Sequence, residues 1–255
     1  MDTPAAIERI ARHLARSRRV LFITGAGISA DSGLPTYRGV GGLYNDEETE
    51  DGLPIETALS GSMFSVRPEI TWKYLARIAH HCRDALPNPA HRAIASLEAK
   101  VPNTFVFTQN IDGLHRKAGS TKLIEIHGNL QTLVCASCDF HEPVDDLGRH
   151  ELPPRCPKCG GTLRPDVVLF GEALPEAAMT RFIGALERGV DMVFTIGTSA
   201  VFPYIAEPVV WAARVGIPTV EINPAQTRLT PHVAYHLPLG AAAAMTEIMA
   251  HLDGT

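Results

Sequence analysis

Val20-Leu21-Phe22-Ile23-Thr24 is an unbroken apolar run that stops at Gly25. A strand with one face in water alternates apolar and polar side chains, so a run without alternation belongs to a strand covered on both faces, as in a parallel sheet. Runs of the same kind recur at Thr104–Thr108, Leu123–Ile126, Met192–Ile196 and Thr219–Ile222. Helical patterns separate several of them, around Ala90–Ala99, Glu176–Arg188 and Ile205–Val215. An amphipathic helix capped by Asp2 or Thr3 precedes the first run, with Ile7, Ile10, Ala11 and Leu14 on one face, and a last helix aligns Met245, Ile248, Met249 and Leu252. The alternation predicts an α/β fold built on a Rossmann-like, doubly wound parallel sheet.

Two stretches break the pattern. Arg38 to Ser65 is rich in Gly and acidic residues and reads as a long loop or small helical excursion. The other, Cys135 to about Arg164, is polar and Pro-rich and carries Cys135-x-x-Cys138 and Cys156-x-x-Cys159, the pairs separated by residues 139–155. That spacing matches a two-knuckle zinc site, in which four thiolates close a tetrahedron and leave no position open for water or substrate. One structural zinc ion held by Cys135, Cys138, Cys156 and Cys159 is therefore expected, in a small inserted domain. The fifth cysteine, Cys82, reads as a small apolar residue on a helix. With no long apolar run or secretory pattern the expected location is cytoplasmic, and in a reducing compartment the closely spaced cysteine pairs favour metal ligation over disulfides. A net charge of -5 at pH 7 gives no general reason to bind nucleic acid or an anionic membrane, so neither is expected as a partner.

Three polar groupings sit at the ends of the apolar runs. Gly25-Ala26-Gly27-Ile28-Ser29-Ala30 fits G-x-G-x-x-A, whose backbone amides could meet a pyrophosphate at a helix start. An ordinary dinucleotide fold would place a second strand and an acidic ribose ligand about 20 residues on; here that interval holds Pro35-Thr36-Tyr37-Arg38-Gly39. Thr108-Gln109-Asn110-Ile111-Asp112 offers amides and a carboxylate suited to a carboxamide and ribose hydroxyls, the alternative being a turn with Asp112 as an N-cap. His127 follows Leu123–Ile126 and precedes Gly128, and imidazole at such a position can act as a base near neutral pH.

In this order the motifs resemble the sirtuin family of NAD-dependent protein deacylases. The resemblance runs through Gly25–Ser29, Gly33-Leu34-Pro35-Thr36-Tyr37-Arg38, Thr108–Asp112, His127-Gly128, both cysteine pairs, Pro165-Asp166-Val167-Val168-Leu169-Phe170-Gly171-Glu172, Gly197-Thr198-Ser199 and Ile222-Asn223. It implies a Rossmann-like domain from residues 1–34, 104–134 and 165–255, a small domain from 35–103 and 135–164, and a cleft between them for NAD and an acylated lysine. By resemblance Gly25, Ala26, Gly27, Ile28, Ser29, Tyr37 and Arg38 border NAD. Gln109, Asn110, Ile111 and Asp112 hold its nicotinamide ribose and carboxamide, and Gly197, Thr198, Ser199 and Asn223 meet the adenosine half. Val167, Val168 and Phe170 line the lysine tunnel, beside backbone that pairs with the substrate peptide as an added strand. NAD is a consumed co-substrate in this chemistry. The acyl group leaves as 2′-O-acyl-ADP-ribose beside free nicotinamide, with His127 as general base toward the ribose hydroxyls. The implied partners are proteins carrying acylated lysines.

The resemblance extends to Tyr74 and Arg77, which match the Tyr-x-x-Arg of the class preferring succinyl, malonyl or glutaryl lysine. Three apart on a helix, they share a face, and guanidinium and phenol together can grip an acyl carboxylate. This implies removal of acidic acyl groups as well as acetyl. Leu53-Pro54-Ile55-Glu56-Thr57-Ala58-Leu59 lacks the Ala-Thr-Pro pattern of that class, which leaves a second reading open: a deacetylase with a core Tyr and a solvated Arg. A third is an NAD-binding sensor without turnover.

Overall fold

The computed structural model describes residues 2–36, 48–147 and 151–254. Asp2 opens α1 (Thr3–Arg16) by accepting the Ala5 N–H at 3.3 Å, Pro4 sits in the first turn, and Ile7, Ile10, Ala11 and Leu14 are buried along one face. The chain continues through β1 (Arg19–Thr24), a 3-10 helix (Ala26–Ser32), α2 (Ile55–Ala58), α3 (Gly61–Val66), α4 (Pro68–Arg83) and α5 (Pro89–Lys100). Then come β2 (Asn103–Thr108), α6 (Leu114–Lys117), β3 (Leu123–Glu125), β4 (Gly128–Cys135), β5 (His141–Pro143) and β6 (Leu163–Val167). The last part holds α7 (Glu176–Glu187), β7 (Met192–Ile196), α8 (Pro203–Arg214), β8 (Thr219–Ile222), β9 (Tyr235–Leu237) and α9 (Ala241–Asp253).

Six strands form one sheet in the order β3-β2-β1-β7-β8-β9, each neighbouring pair parallel. Among these strands the order is the doubly wound 3-2-1-4-5-6, which reverses between β1 and β7 and opens a crevice at their carboxyl ends. Alternation along the strands divides the core. Val20 and Phe22 pack with α1, α5 and α9, while Leu21 and Ile23 pack with α7 and α8. Phe22 faces Phe194 in register, the rings stacked 4.7 Å apart, and Phe107 stacks on Phe182 at 3.7 Å.

The five expected main-sheet strands and the helices between them are present, and β9 adds a sixth strand at the edge. A second sheet, β5-β4-β6, antiparallel throughout, brackets the cysteine-bearing stretch. It rests on α4, where the buried Trp72 donates its indole N–H to Leu163 O at 2.8 Å and packs with Leu133, Cys135 and Leu163. Packing also assigns two elements. Helix α5, in the stretch expected in the small domain, buries Ala90, Ile94 and Leu97 beneath the main sheet. Strand β4, mostly in the stretch expected in the larger domain, pairs with β5 and β6. Among the described residues no helix is long and apolar enough to cross a membrane.

Candidate active site

The crevice at the reversal point is closed by backbone. Gly25 N–H donates to Ile196 O at 3.0 Å and Gly27 N–H to Gly197 O at 2.8 Å, and a Cβ on Gly27 would lie 2.6 Å from Gly197 Cα. These glycines thus serve contact between the ends of β1 and β7. The expected cradle of amides takes a different form. Ile28 N–H is bonded to Gly25 O at 3.1 Å, so the amides of Gly25, Gly27 and Ile28 are all satisfied inside the chain, and the segment winds as a 3-10 turn.

Behind that turn lies a buried polar network. Asn88 N–H donates to His91 Nδ1 at 3.4 Å, which leaves Nε2–H to face Ser29 Oγ at 3.5 Å; Ser29 in turn donates to Asp112 Oδ2 at 2.7 Å. Thr24 Oγ1 bonds Thr108 Oγ1 at 2.8 Å and meets His115 Nε2 at 2.9 Å, and the rings of His91 and His115 meet edge-on at 4.9 Å. Burial drives both imidazoles toward the neutral form, His91 to about 4 and His115 to about 3. Burial also raises the Asp112 carboxyl above its usual range, against the opposing Leu114 N–H and Ser29 hydroxyl. Ala26, Ser29, Asn110 and Asp112 line one side of a narrow cavity, and Ile78, His81 and Cys82 of α4 line another. Asn110 donates to Gly25 O at 3.2 Å and Ser29 Oγ at 3.3 Å, but its Oδ1 is buried without a partner. An unpaired buried acceptor beside a cavity fits a ligand with an N–H to give, such as a carboxamide. Cys82 is buried as expected, and burial pushes its thiol up to about 12.

Gln109, Thr198 and Asn223 come together at the ends of β2, β7 and β8. Gln109 donates to Thr198 Oγ1 at 2.9 Å and Asn223 to Thr198 O at 3.2 Å. Gly197 takes a φ of 61° there, a left-handed conformation suited to glycine. Ser199 is exposed and Ile111 half-buried, packed against the small sheet's core. Tyr37 and Arg38 lie outside the described residues.

His127 leaves β3 half-buried. Its Nδ1 lies 3.0 Å from Gln109 O, and a carbonyl only accepts, so Nδ1 carries the proton. In the neutral ring Nε2 is then the acceptor, and Tyr204 Oη stands 2.7 Å from it. Burial holds the His127 pKa below its ordinary value, opposed by the Gln109 carbonyl. The ring is therefore a neutral base at pH 7. The next residue, Gly128, has φ 75°, and a Cβ there would overlap the Asp166 carbonyl on β6.

The loop after β6 is clamped by a two-pronged ion pair, Arg164 Nη1 to Glu172 Oε1 at 2.6 Å and Nη2 to Oε2 at 2.8 Å. Val168 N–H donates to His127 O at 2.9 Å, Leu169 N–H to Glu172 at 2.9 Å and Phe170 N–H to Leu59 O at 3.0 Å. A substrate strand pairing here thus finds no free donor among these three residues. Val167 and Val168 border an open cleft of about 820 Å³ that also meets Arg116, Asn129 and Arg181, while Phe170 packs into the α4 core. Tyr74 and Arg77 share a face of α4, one turn before the cavity-lining Ile78 and His81. The hydroxyl of Tyr74 donates to Asp51 at 2.5 Å, and Arg77 donates to Glu50 at 2.8 Å. Lys73 joins both carboxylates, at 2.8 Å to Asp51 and 3.2 Å to Glu50.

The four cysteines converge, all Sγ atoms within 4.8 Å of one another, with Cys135 and Cys159 3.5 Å apart and Cys138 and Cys156 3.7 Å apart. Thiolates about 2.3 Å from a tetrahedral zinc stand about 3.8 Å from each other, so the set fits one zinc ion.

Sequence reading missed His91, the role of His115, and Tyr204. The Asn88-Pro89-Ala90-His91 capping box is a local cue to His91, as both its bonds are present. Tyr204 is 77 residues from His127 and has no local cue.

A model of the Sir2 family matches residues 25–203. The chain is 49% identical over 255 residues to NAD-dependent protein deacylase 2 of Pseudomonas aeruginosa, covering 99% of each. Its similarity to NAD-dependent protein deacylase 2 of Pseudomonas syringae pv. tomato is 52% identity over 242 residues, covering 94% of this chain and 97% of that one. A solved mutant Sir2 homologue in complex with ADP-ribose superposes with a TM-score of 0.89 at 36% identity, covering 100% of this chain and 97% of that one.

Proposed function

The chain belongs to the Sir2 family, and on that premise we propose that it removes acyl groups from protein lysine side chains at the expense of NAD, with His127 as the general base. The observation that carries this reading is the state of His127: Nδ1–H is fixed on Gln109 O, so the neutral ring keeps Nε2 as its basic nitrogen. When bound, NAD supplies an electrophilic ribose carbon and the sugar that carries the acyl group away. Asn110 Oδ1, unpaired and buried, accepts from the carboxamide, while Asp112 and Ser29 stand beside the ribose. Ala26 borders the same site, Gln109 and Ile111 belong with the nicotinamide ribose, and Gly197, Thr198 and Asn223 lie toward the adenosine half, with Ser199 exposed at its edge. The zinc ion is structural, because four thiolates leave it no open position. Thiolates kept for metal also suit a cytoplasmic protein.

For the acyl group, the reading is that acidic acyl lysines are accepted beside acetyl-lysine. Tyr74 and Arg77 each hold a carboxylate already, Asp51 and Glu50, and stand one turn up α4 from the cavity lining. The same ion pairs support the alternative of a plain deacetylase, since Tyr74 and Arg77 are satisfied within the chain. A mass-spectrometric time course with NAD and matched acetyl-lysine and succinyl-lysine peptides separates the two. Under the acidic reading, Arg77→Met abolishes succinyl removal selectively and His127→Ala abolishes both. Succinyl activity untouched by Arg77→Met would leave a deacetylase, and no NAD-dependent product from either peptide would leave a sensor.

A further inference from the structure

The neutral His127 ring has one basic lone pair, on Nε2, and Tyr204 Oη already occupies it at 2.7 Å. A substrate hydroxyl cannot donate to the same lone pair while the phenol stays. Either Tyr204 leaves, or the proton passes through it. The setting of Tyr204 favours passage. Its ring is stacked on Phe202, centroids 5.4 Å apart and planes within 13°, and stands edge-on to His127 at 6.1 Å. The phenol is at the first turn of α8 and packs against the core shared by α7 and α8. Among the described residues its oxygen accepts no hydrogen bond, so Oη gives its proton to Nε2 and keeps lone pairs open for an incoming donor.

We propose that Tyr204 is a catalytic proton relay between the substrate hydroxyl and His127. This rests on the reading of His127 as the general base. As the hydroxyl oxygen forms its bond to the acyl carbon, that carbon's π bond opens and its electron pair moves onto the lysine-derived nitrogen, while the O–H proton moves to Tyr204 Oη and the phenolic proton moves to His127 Nε2. Tyr204 ends the step as neutral as it began, and His127 carries the one positive charge gained. Burial pushes the phenol up to about 12, so it keeps its proton at pH 7 and acts by exchange. No further reagent is required, and the Gln109 carbonyl on Nδ1–H stabilises the imidazolium that forms.

The test is Tyr204→Phe, which keeps the ring and its stacking on Phe202 and deletes only the hydroxyl. With NAD and an acyl-lysine peptide, kcat falls about thirtyfold while both KM values stay within about twofold, since acid–base groups contribute roughly a hundredfold or more and the base itself remains. In mixtures of light and heavy water the wild-type rate curves, as two protons move together, and the variant gives a straight line. Without NAD, the nitrogen resonance of His127 Nε2 shifts between wild type and variant, because the hydroxyl donor is gone. An unchanged or faster kcat in Tyr204→Phe would overturn the relay and make the phenol a displaced occupant. A straight wild-type proton inventory would overturn it without reference to any variant, as would an unmoved Nε2 resonance. His127→Ala tells the two proposals apart. If it loses activity while Tyr204→Phe does not, only the relay fails. If it keeps full activity, the base assignment fails and the relay with it.

Discussion

The polar network beneath the glycine turn and the ion pairs on α4 contain similar chemical groups and obey different physics. Ser29, His91, Asp112 and His115 are buried, each bond short of water, so an unmade bond costs the full desolvation of the group left behind. Glu50 and Arg77 keep 63% and 47% of their side-chain surface in water, where a broken pair is rehydrated at little loss. Arg77 holds the Glu50 carboxyl below its usual range, yet most of the side chain stays in water. The first region is fixed by its surroundings and suits chemistry with strict geometry. The second can be exchanged for another carboxylate, which suits selection among substrates.

Four measurements would break or sharpen that contrast. The largest effect is expected at the edge of the buried region, where His127→Ala lowers kcat about a thousandfold, the range of a lost general base; a loss under tenfold would place the base elsewhere. Acid comes next. His91 and His115 are held near about 4 and about 3 when folded and titrate near 6.5 in the unfolded chain, so above about pH 6.5 their contribution is complete. Below it the unfolded chain binds protons that the folded one refuses, and stability falls by up to about 1.4 kcal/mol per pH unit for each histidine until the folded values are reached. Urea unfolding at pH 7.5 and 5 should differ by about 4 kcal/mol, and the difference should shrink by half in His91→Gln. Gly27→Ala follows at about 2 kcal/mol of destabilisation, since its new Cβ meets backbone of Gly197 and not a movable side chain. The smallest effect belongs to α4, where Lys73→Gln should leave the urea unfolding midpoint almost unmoved, and what little shift there is should vanish in high salt.

How far the sequence displays this molecule follows the same division between local and distant bonds. The central strands were legible because burial on two faces writes an unbroken apolar run, as at Val20–Thr24 and Met192–Ile196. The cysteine pairs were legible because metal ligands obey spacing. Strand β9 was not, being only Tyr235-His236-Leu237 at a sheet edge. Nor was β6, where Arg164, Pro165 and Asp166 hide any period of two and pairing with β4 supplies the order. The glycine turn could be located but not its use, because the oxygen atoms that claim its amides include those of Ile196 and Gly197, far along the chain. The carboxylates on Tyr74 and Arg77, and the phenol on His127, were invisible for the same reason.

Gly128 joins the main sheet to the one that carries the cysteines directly after His127, at φ 75° and against the Asp166 carbonyl. Any side chain there pushes on β6 and recoils on His127 through a single peptide bond. A library of random codons selected for turnover should therefore come back with glycine alone at 128, while the neighbouring Asn129 varies. The geometry closes this position to any side chain, whatever the two sheets on either side can accommodate.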